Sequence, residues 1–142
     1  MITTPYVKFI LNSEAEIVDF ECHLSEVKYT HEEVVGKNWF DVFIDEADKQ
    51  HVMKIYQDLF DGKEKEWETF QNDIVCKNNQ HKTIDFHNQI FERGGVKYLN
   101  SVGIEHAGSE DNESFKYLSS NGIKTFVDQD NKLFKIAKEL AE

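Results

Sequence analysis

The chain has 142 residues, a net charge of −11 and an aromatic content of 13%. This length indicates one domain with a short extension, and the charge argues against nucleic acid or an anionic membrane surface as a partner, because both attract positive proteins. No stretch is apolar for long enough to span a membrane, and the first five residues lack the basic and apolar regions of a signal peptide. We therefore expect a soluble, cytoplasmic protein.

Short apolar runs and helix-start signals define the first half of the chain. The runs at residues 7–11 and 17–21 predict a hairpin. Thr30 and Glu33 have the spacing of a capping box, and Gly36 would end the short helix that they begin. Two helical segments follow, and their apolar faces are made by Trp39, Phe40, Phe43 and Ile44 and by Val52, Ile55, Tyr56 and Leu59.

Strict alternation of apolar residues predicts three antiparallel strands at residues 70–76, 84–90 and 96–104. The polar breaks at residues 77–80 and 93–95 have the length of hairpin turns. The even-numbered apolar residues of these runs, expected to face inward, are Phe70, Ile74, Cys76, Ile84, Phe86, Ile90, Val96, Tyr98, Val102 and Ile104.

Each of the three runs also carries one asparagine among its even-numbered residues. If the turns are centred near residues 79–80 and on Gly94, Asn72 lies opposite Asn88 and Asn88 opposite Asn100. The three amides then form one row across the buried face, which is typical of a small-molecule pocket. A bulge that reverses one strand, or amides satisfied by each other and by a buried water, would give the same pattern without a ligand.

The remainder of the chain has a different character. Residues 107–114 are small, polar and acidic, which indicates a linker. Residues 115–142 predict a C-terminal helical extension that is too small to hold its own core, so it must dock on the domain, pair with a second chain or belong to a longer unit. Its apolar positions are Phe115 and Leu118 in a short helix, Ile123 to Val127 in an extended stretch, and Leu133, Ile136, Ala137 and Leu140 in a final helix.

Three segments together resemble one family. Residues 29–39 (Tyr-Thr-His-Glu-Glu-Val-Val-Gly-Lys-Asn-Trp) resemble the Gly-Tyr-x-x-Glu-Glu-hydrophobic-hydrophobic-Gly-Lys stretch of PAS sensor domains, with Lys28 where Gly is usual. Residues 45–48 resemble the stretch before the family's long helix, and residues 76–79 resemble its Lys-Asp-Gly hairpin turn. The resemblance covers residues 6–106. It implies an α+β fold with a five-stranded antiparallel sheet in the order 2-1-5-4-3, cupped around a cavity that helices close from one side.

Two features of the family pattern are missing. Residues 21–23 (Glu-Cys-His) stand where the family often has Asn after the second strand. Residues 103–106 (Gly-Ile-Glu-His) replace the Asp-hydrophobic-Thr signature that commonly marks the exit to an output helix. The usual path of the signal out of the domain is therefore not assumed for this chain.

The resemblance implies a sensory or interaction module that binds a small molecule between sheet and helices and signals through an effector domain or a homodimer. A ligand-free dimerisation scaffold, with its interior filled by the eleven Phe residues, is the alternative. The predicted ligand contacts are the amides of Asn72, Asn88 and Asn100, the aromatic walls Tyr98 and Phe86, and the helical lid residues Ile55 and Tyr56.

Haem and flavin are two further alternatives for the bound group. His51 lies eleven residues before Gly62, the spacing at which haem-based PAS sensors place their iron ligand, although Phe70 stands where those sensors carry Arg. A partly exposed surface histidine is the plain interpretation of His51. The Asn-Cys-Arg-Phe-Leu-Gln run of flavin photosensors is absent, whereas Trp67 and Asn72 leave a redox flavin open.

Signals for catalysis, metal binding and disulfides are missing from the sequence. There is no Gly-x-Ser-x-Gly motif, no Gly-rich phosphate loop and no His/Cys spacing of a zinc site, so the chain is predicted not to be an enzyme. Cys22 and Cys76 lie far apart in apolar-leaning segments, and we expect both to be reduced and buried.

Overall fold

A computed structural model of the chain describes residues 5–62, 69–106, 115–117, 124–126 and 140. No helix in this part of the chain is long and apolar enough to cross a membrane. The predicted linker at residues 107–114 and nearly all of the predicted final helix lie outside the described residues. In chain order the elements are β1 (Val7–Asn12), β2 (Ile17–Cys22), α1 (His31–Val34), α2 (Trp39–Phe43), a 3-10 turn (Glu46–Asp48), α3 (Lys49–Phe60), β3 (Thr69–Val75), β4 (His81–Arg93), β5 (Val96–Glu105), β6 (Phe115–Tyr117) and β7 (Lys124–Phe126).

The five long strands form an antiparallel sheet in the order β2-β1-β5-β4-β3. This is the predicted order. Two short strands continue the sheet beyond β3, first β7 and then β6. Phe115, which was predicted in a short helix, therefore lies in a strand, whereas residues 124–126 are extended as predicted.

The helix starts follow from local hydrogen bonds. The Glu33 carboxylate accepts a hydrogen bond from the backbone N–H of Thr30 at 2.9 Å, so the predicted capping-box pair forms at the start of α1. The chain turns away after α1 at Gly36, whose φ of +90° is readily adopted only by glycine. Both predictions for this segment are confirmed.

The helices cover one face of the sheet, which we call the inner face. Phe9 of β1 contacts Trp39 of α2, and Phe70 of β3 contacts Tyr56 of α3. The face turned away from the helices is called the outer face. All eight residues of the two predicted helical stripes are buried, namely Trp39, Phe40, Phe43, Ile44, Val52, Ile55, Tyr56 and Leu59.

The turn between β3 and β4 is tighter than predicted. It is centred on Asn78, with Asn79 at a φ of +70°, instead of at residues 79–80. Asn72 consequently pairs with Ile84. The prediction that Asn72 lies opposite Asn88 is therefore wrong, although both side chains remain on the inner face because the register moved by an even number of residues.

The turn between β4 and β5 changes the facing of a whole strand. Gly94 and Gly95 form a two-residue turn with φ of +61° and +81°, as a type I′ hairpin requires. This turn pairs Asn88 with Ser101. The predicted inward position of Asn100 is wrong, because a shift of one residue moves every side chain of β5 to the opposite face.

Both cysteines are free thiols, as predicted. Cys76 is buried and Cys22 is partly buried. Burial raises the pKa of each thiol. Both are therefore protonated and weakly nucleophilic at neutral pH.

Candidate functional site

A buried polar pair lies near the centre of the inner face. Asn88 of β4 and Ser101 of β5 are direct cross-strand neighbours, and both are 0% exposed. On its other side Ser101 pairs with Phe9 of β1. The inner face next to the pair is otherwise apolar, with Phe86 and Leu99 as the adjacent buried positions.

Helix α2 places an indole ring against Phe9, the β1 neighbour of this pair. Asn38 starts the helix, because its Oδ1 accepts hydrogen bonds from two backbone N–H groups of the first turn at 2.9 and 3.2 Å. The Trp39 ring stacks on Phe9 with a centroid distance of 3.8 Å. Since Phe9 is the direct neighbour of Ser101, the indole lies beside the polar pair.

The hydroxyl oxygen of Ser101 lacks a hydrogen-bond partner among the described residues. The indole N–H of Trp39 faces the Tyr56 hydroxyl and lowers the pKa of that phenol by hydrogen bonding. Leaving a buried polar group unsatisfied costs about 1–3 kcal/mol. A hydroxyl can donate and accept, so a ligand that carries either an acceptor or a donor would satisfy it.

Helix α3 adds the hydroxyl of Tyr56. This side chain is 3% exposed, and its ring lies 5.2 Å from Phe40 and 6.0 Å from Phe70. Burial raises the pKa of Tyr56, and the nearby Trp39 indole offsets only part of that rise. The phenol is therefore neutral at physiological pH and can donate a hydrogen bond. We call Trp39, Tyr56, Asn88 and Ser101 the core polar site.

Aromatic rings fill much of the space around the core polar site. The Phe86 ring lies 6.0 Å from Phe9, 6.3 Å from Trp39 and 6.1 Å from Phe70. Gly103, the cross-strand partner of Phe86, leaves room for this ring, because a Cβ there would lie 2.9 Å from two ring carbons. The Phe86 ring therefore fills part of the space between the sheet and the helices. A ligand of the core polar site must be small.

The predicted ligand contacts divide between the two faces. Phe86 and Asn88 lie on the inner face, and Ile55 and Tyr56 are buried on α3. Asn72 also faces inward, but its partner on β4 is Ile84. Ile84 lies four residues before Asn88, which is about 13 Å along the strand. The ligand role of these residues stays a prediction.

Two of the predicted contacts face away from the helices. Asn100 pairs with Gln89 on the outer face. Tyr98 also lies there, with its ring stacked on Phe91 at 5.5 Å. Neither can form the predicted wall of a cavity between sheet and helices, because the two-residue turn before β5 sets the opposite facing.

Ser101 and Trp39 were missed as site residues. Alternation along β5 assigned Ser101, which lies between Asn100 and Val102, to the outer face. Trp39 was recognised as apolar and buried, but its N–H was not considered. A buried Trp needs a partner for its N–H, which is the signal that could have identified it.

The packing does not fit haem at His51. This residue is partly buried on α3, and its Nε2 has no hydrogen-bond partner among the described residues. Phe70 is 0% exposed and lies between Tyr56 and Phe86, so a planar tetrapyrrole would have to displace these rings. The described residues hold no cluster of metal-ligating side chains, and Trp67 lies outside them.

A surface pocket borders the Tyr56 side chain of the core polar site. It has a volume of about 210 Å³ and lies between the β1–β2 turn, α2 and α3. Tyr56 and Phe40 line this pocket and also belong to the buried core. The Tyr56 side chain therefore separates the pocket from the interior.

No family model and no curated protein matches the sequence. Solved structures match its fold. The PAS domain of the RpfR quorum-sensing receptor of Cronobacter turicensis, in complex with C12:0, has a TM-score of 0.57 at 17% identity, over 74% of this chain and 96% of that one. A PAS domain from Desulfitobacterium hafniense has a TM-score of 0.61 at 19% identity, over 73% and 95%.

An insect protein matches as well. The Cycle PAS-B domain of Drosophila melanogaster with bound ethylene glycol has a TM-score of 0.58 at 11% identity, over 71% of this chain and 99% of that one. At these identities the likeness concerns the fold. The chain has the PAS fold, because its strand order and the superpositions on these solved domains indicate the same architecture.

Proposed function

We propose that this chain is a sensory or interaction module that binds a small molecule at the core polar site and passes its occupancy to a partner domain or a second copy. The Ser101 hydroxyl carries the proposal, because it is fully buried without a partner among the described residues, beside Asn88 and Trp39. A guest that hydrogen-bonds there would remove the penalty of about 1–3 kcal/mol for an unsatisfied buried group.

The site favours a small, uncharged guest. Its four groups are an amide, a hydroxyl, an indole and a protonated phenol, so a buried charge would find no opposite charge among them. The surrounding rings leave little space. Ethylene glycol and C12:0 are bound by two solved domains of this fold, which makes both useful probes for this chain.

Occupancy would act through a population shift. We consider two conformations that differ in how α2 packs on the sheet. A ligand between α2 and the sheet stabilises the conformation that binds it more tightly, and it shifts the equilibrium by the difference between its two affinities. Asn88 and Ser101 lie on the two central strands β4 and β5, so a change at the site reaches the middle of the sheet.

Ser101→Ala tests the proposal, with Ser25→Ala as the matched control because Ser25 is exposed. Native mass spectrometry after mild purification, and titration with ethylene glycol and C12:0, should show a bound small molecule in the wild type and the control. Asn88→Leu and Ser101→Ala should lose it while remaining folded. Equal retention by all four proteins would refute the proposal.

The stability of the ligand-free protein gives a second test. Removing an unsatisfied hydroxyl eliminates its desolvation penalty, so empty Ser101→Ala should unfold at a higher temperature than the empty wild type. With a bound guest the order should reverse. If the variant is less stable in both states, the hydroxyl is satisfied within the protein and no guest is needed.

A ligand-free dimerisation scaffold is the second candidate. The packing of Phe86 against Phe9, Trp39 and Phe70 favours a scaffold, because these rings fill much of the space between the sheet and the helices. An empty dimer in native mass spectrometry, unchanged by either probe, would support this function over sensing.

A further inference from the structure

The surface pocket between the β1–β2 turn, α2 and α3 has walls made mainly of aromatic and apolar side chains. Its volume is about 210 Å³. Met53, Tyr56 and Phe60 of α3 line it, and their spacings of three and four residues place them along one side of the helix. Phe40 of α2 lines it as well. We call this cavity the aromatic pocket.

The rings of Phe40 and Tyr56 form two adjoining walls of the aromatic pocket. Their centroids are 5.2 Å apart, and their planes meet at 66°. Phe60, which is partly buried against the core, contributes a third ring. The face of an aromatic ring carries negative potential and attracts a cation that lies over it. Several rings around one pocket therefore favour a cationic ligand, and quaternary ammonium ions are commonly bound in this way.

Glu14 adds a negative charge to the aromatic pocket. Its backbone is held on both sides, because its N–H donates to Oδ1 of Asn12 at 2.9 Å and its carbonyl accepts from Nδ2 of Asn38 at 3.3 Å. The Glu14 carboxylate has no ion-pair partner among the described residues. No lysine or arginine of the described part of the chain lines the pocket. The pocket is therefore negative, in a chain whose net charge is −11.

We propose that the aromatic pocket binds a quaternary ammonium group of the choline type. The methyl groups of such an ion contact the rings and the Met53 side chain, which is 45% exposed. The positive charge is attracted by the ring faces and by the Glu14 carboxylate. A volume of about 210 Å³ is the space of about seven water molecules, which suits an ion of the size of choline.

Other classes of small molecule fit the aromatic pocket less well. An anion would be repelled by Glu14. A primary ammonium ion is strongly hydrated and brings N–H donors for which the ring walls offer no oxygen or nitrogen acceptor. A neutral molecule of the same shape as choline would gain only the apolar contacts. The pocket should therefore distinguish choline from a neutral molecule of the same shape.

This inference goes beyond the proposed function. Tyr56 lines the aromatic pocket, and it also belongs to the core polar site, where its hydroxyl faces the Trp39 indole. Binding in the aromatic pocket requires neither the Ser101 hydroxyl nor an occupied core polar site. The inference therefore stands if the proposed function fails.

Titration of the full chain with choline chloride, followed by NMR at the Met53 methyl signal, tests the proposal. The matched ligand is dimethylbutanol, the neutral isostere of choline in which a carbon atom replaces the nitrogen. Cation–π contacts and an exposed ion pair are each worth about twofold to fivefold in affinity, so choline should bind about fivefold to twentyfold tighter than the isostere. Sodium chloride at the same concentration should leave the Met53 signal in place.

Two results of this titration would overturn the proposal. If choline and the isostere bind equally well, the pocket recognises shape without charge. If choline leaves the Met53 methyl signal unchanged at concentrations at which other signals move, it binds elsewhere on the protein.

Glu14→Gln tests the contribution of the carboxylate, with Glu92→Gln as the matched control because Glu92 is an exposed glutamate on the β4–β5 hairpin. Glu14→Gln should weaken choline binding about twofold to fivefold and leave binding of the isostere unchanged. Glu92→Gln should change neither. Equal affinity of all three proteins for choline would contradict the charge recognition on which the proposal depends.

Phe60→Leu tests the ring walls, because it keeps an apolar side chain and removes a ring face. Choline should bind about twofold to fivefold more weakly while the isostere binds as before, and Phe91→Leu, which changes a partly buried ring on the outer face, should have no effect. Unchanged choline binding by Phe60→Leu would count against the proposal. Ser101→Ala should bind choline as the wild type does, and a loss there would locate choline in the core polar site and overturn the proposal.

Discussion

Gly103→Ala should destabilise the domain even though alanine is normally the better strand residue. The new Cβ would lie 2.6 Å from Cγ2 of Ile84 and 2.9 Å from two ring carbons of Phe86. Replacing glycine in a strand interior gains about 0.5–1 kcal/mol. Overpacking a core costs about 1–3 kcal/mol, and the stiff branched side chain of Ile84 cannot easily move aside. Overpacking therefore dominates, with a net loss of about 0.5–2 kcal/mol.

Urea unfolding followed by tryptophan fluorescence measures this loss. With a slope of about 2 kcal/mol per molar urea, the midpoint should fall by about 0.25–1 M. Ile84→Ala provides the background that removes the closest contact. In that background Gly103→Ala should cost less than it does in the wild type, because only the contacts with the Phe86 ring remain. An unchanged midpoint for the single variant, or the same loss in both backgrounds, would refute the packing argument.

Two further substitutions test the helix start and the outer face. Asn38→Ala removes the side-chain cap of α2. Urea titrations should show a free energy of unfolding that is lower by about 1–2 kcal/mol. An unchanged stability would show that the cap is dispensable. Burial lowers the pKa of His87 below its ordinary value of 6.5, so the unfolded chain binds its proton more readily. The stability that this gives is complete above pH 6.5 and is lost as the pH falls towards the lowered pKa. Thermal scans from pH 7.5 to 5 should show a shallower decline for His87→Gln than for the wild type, and equal slopes for the two proteins would contradict the argument.

Local features of the chain were predictable because their causes lie within a few residues. The capping pair of Thr30 and Glu33 and the turn at Gly36 depend on hydrogen bonds and dihedral angles inside one segment. The buried stripe of α3 follows from helical periodicity. The strand order came from a resemblance to known domains and is confirmed by the hydrogen-bonded ladders.

The candidate site was only partly predictable for a physical reason. Alternation along β5 indicates a strand but does not indicate which of its two sides faces the helices. Both sets of β5 residues contain apolar members, Leu99 on the inner face and Val102 on the outer face. The choice between Asn100 and Ser101 therefore depended on the length of one turn.

The order of residues alone determined which segments between Val7 and Glu105 become helices and strands, and that the domain carries polar groups on an otherwise apolar sheet. Tertiary structure decided which of those groups meet. Pairing across β4 and β5 joined Asn88 to Ser101, and the packing of α2 placed Trp39 beside them. Such contacts join residues far apart in sequence, and a shift of one residue in register would have replaced Ser101 by Asn100 without changing any local signal.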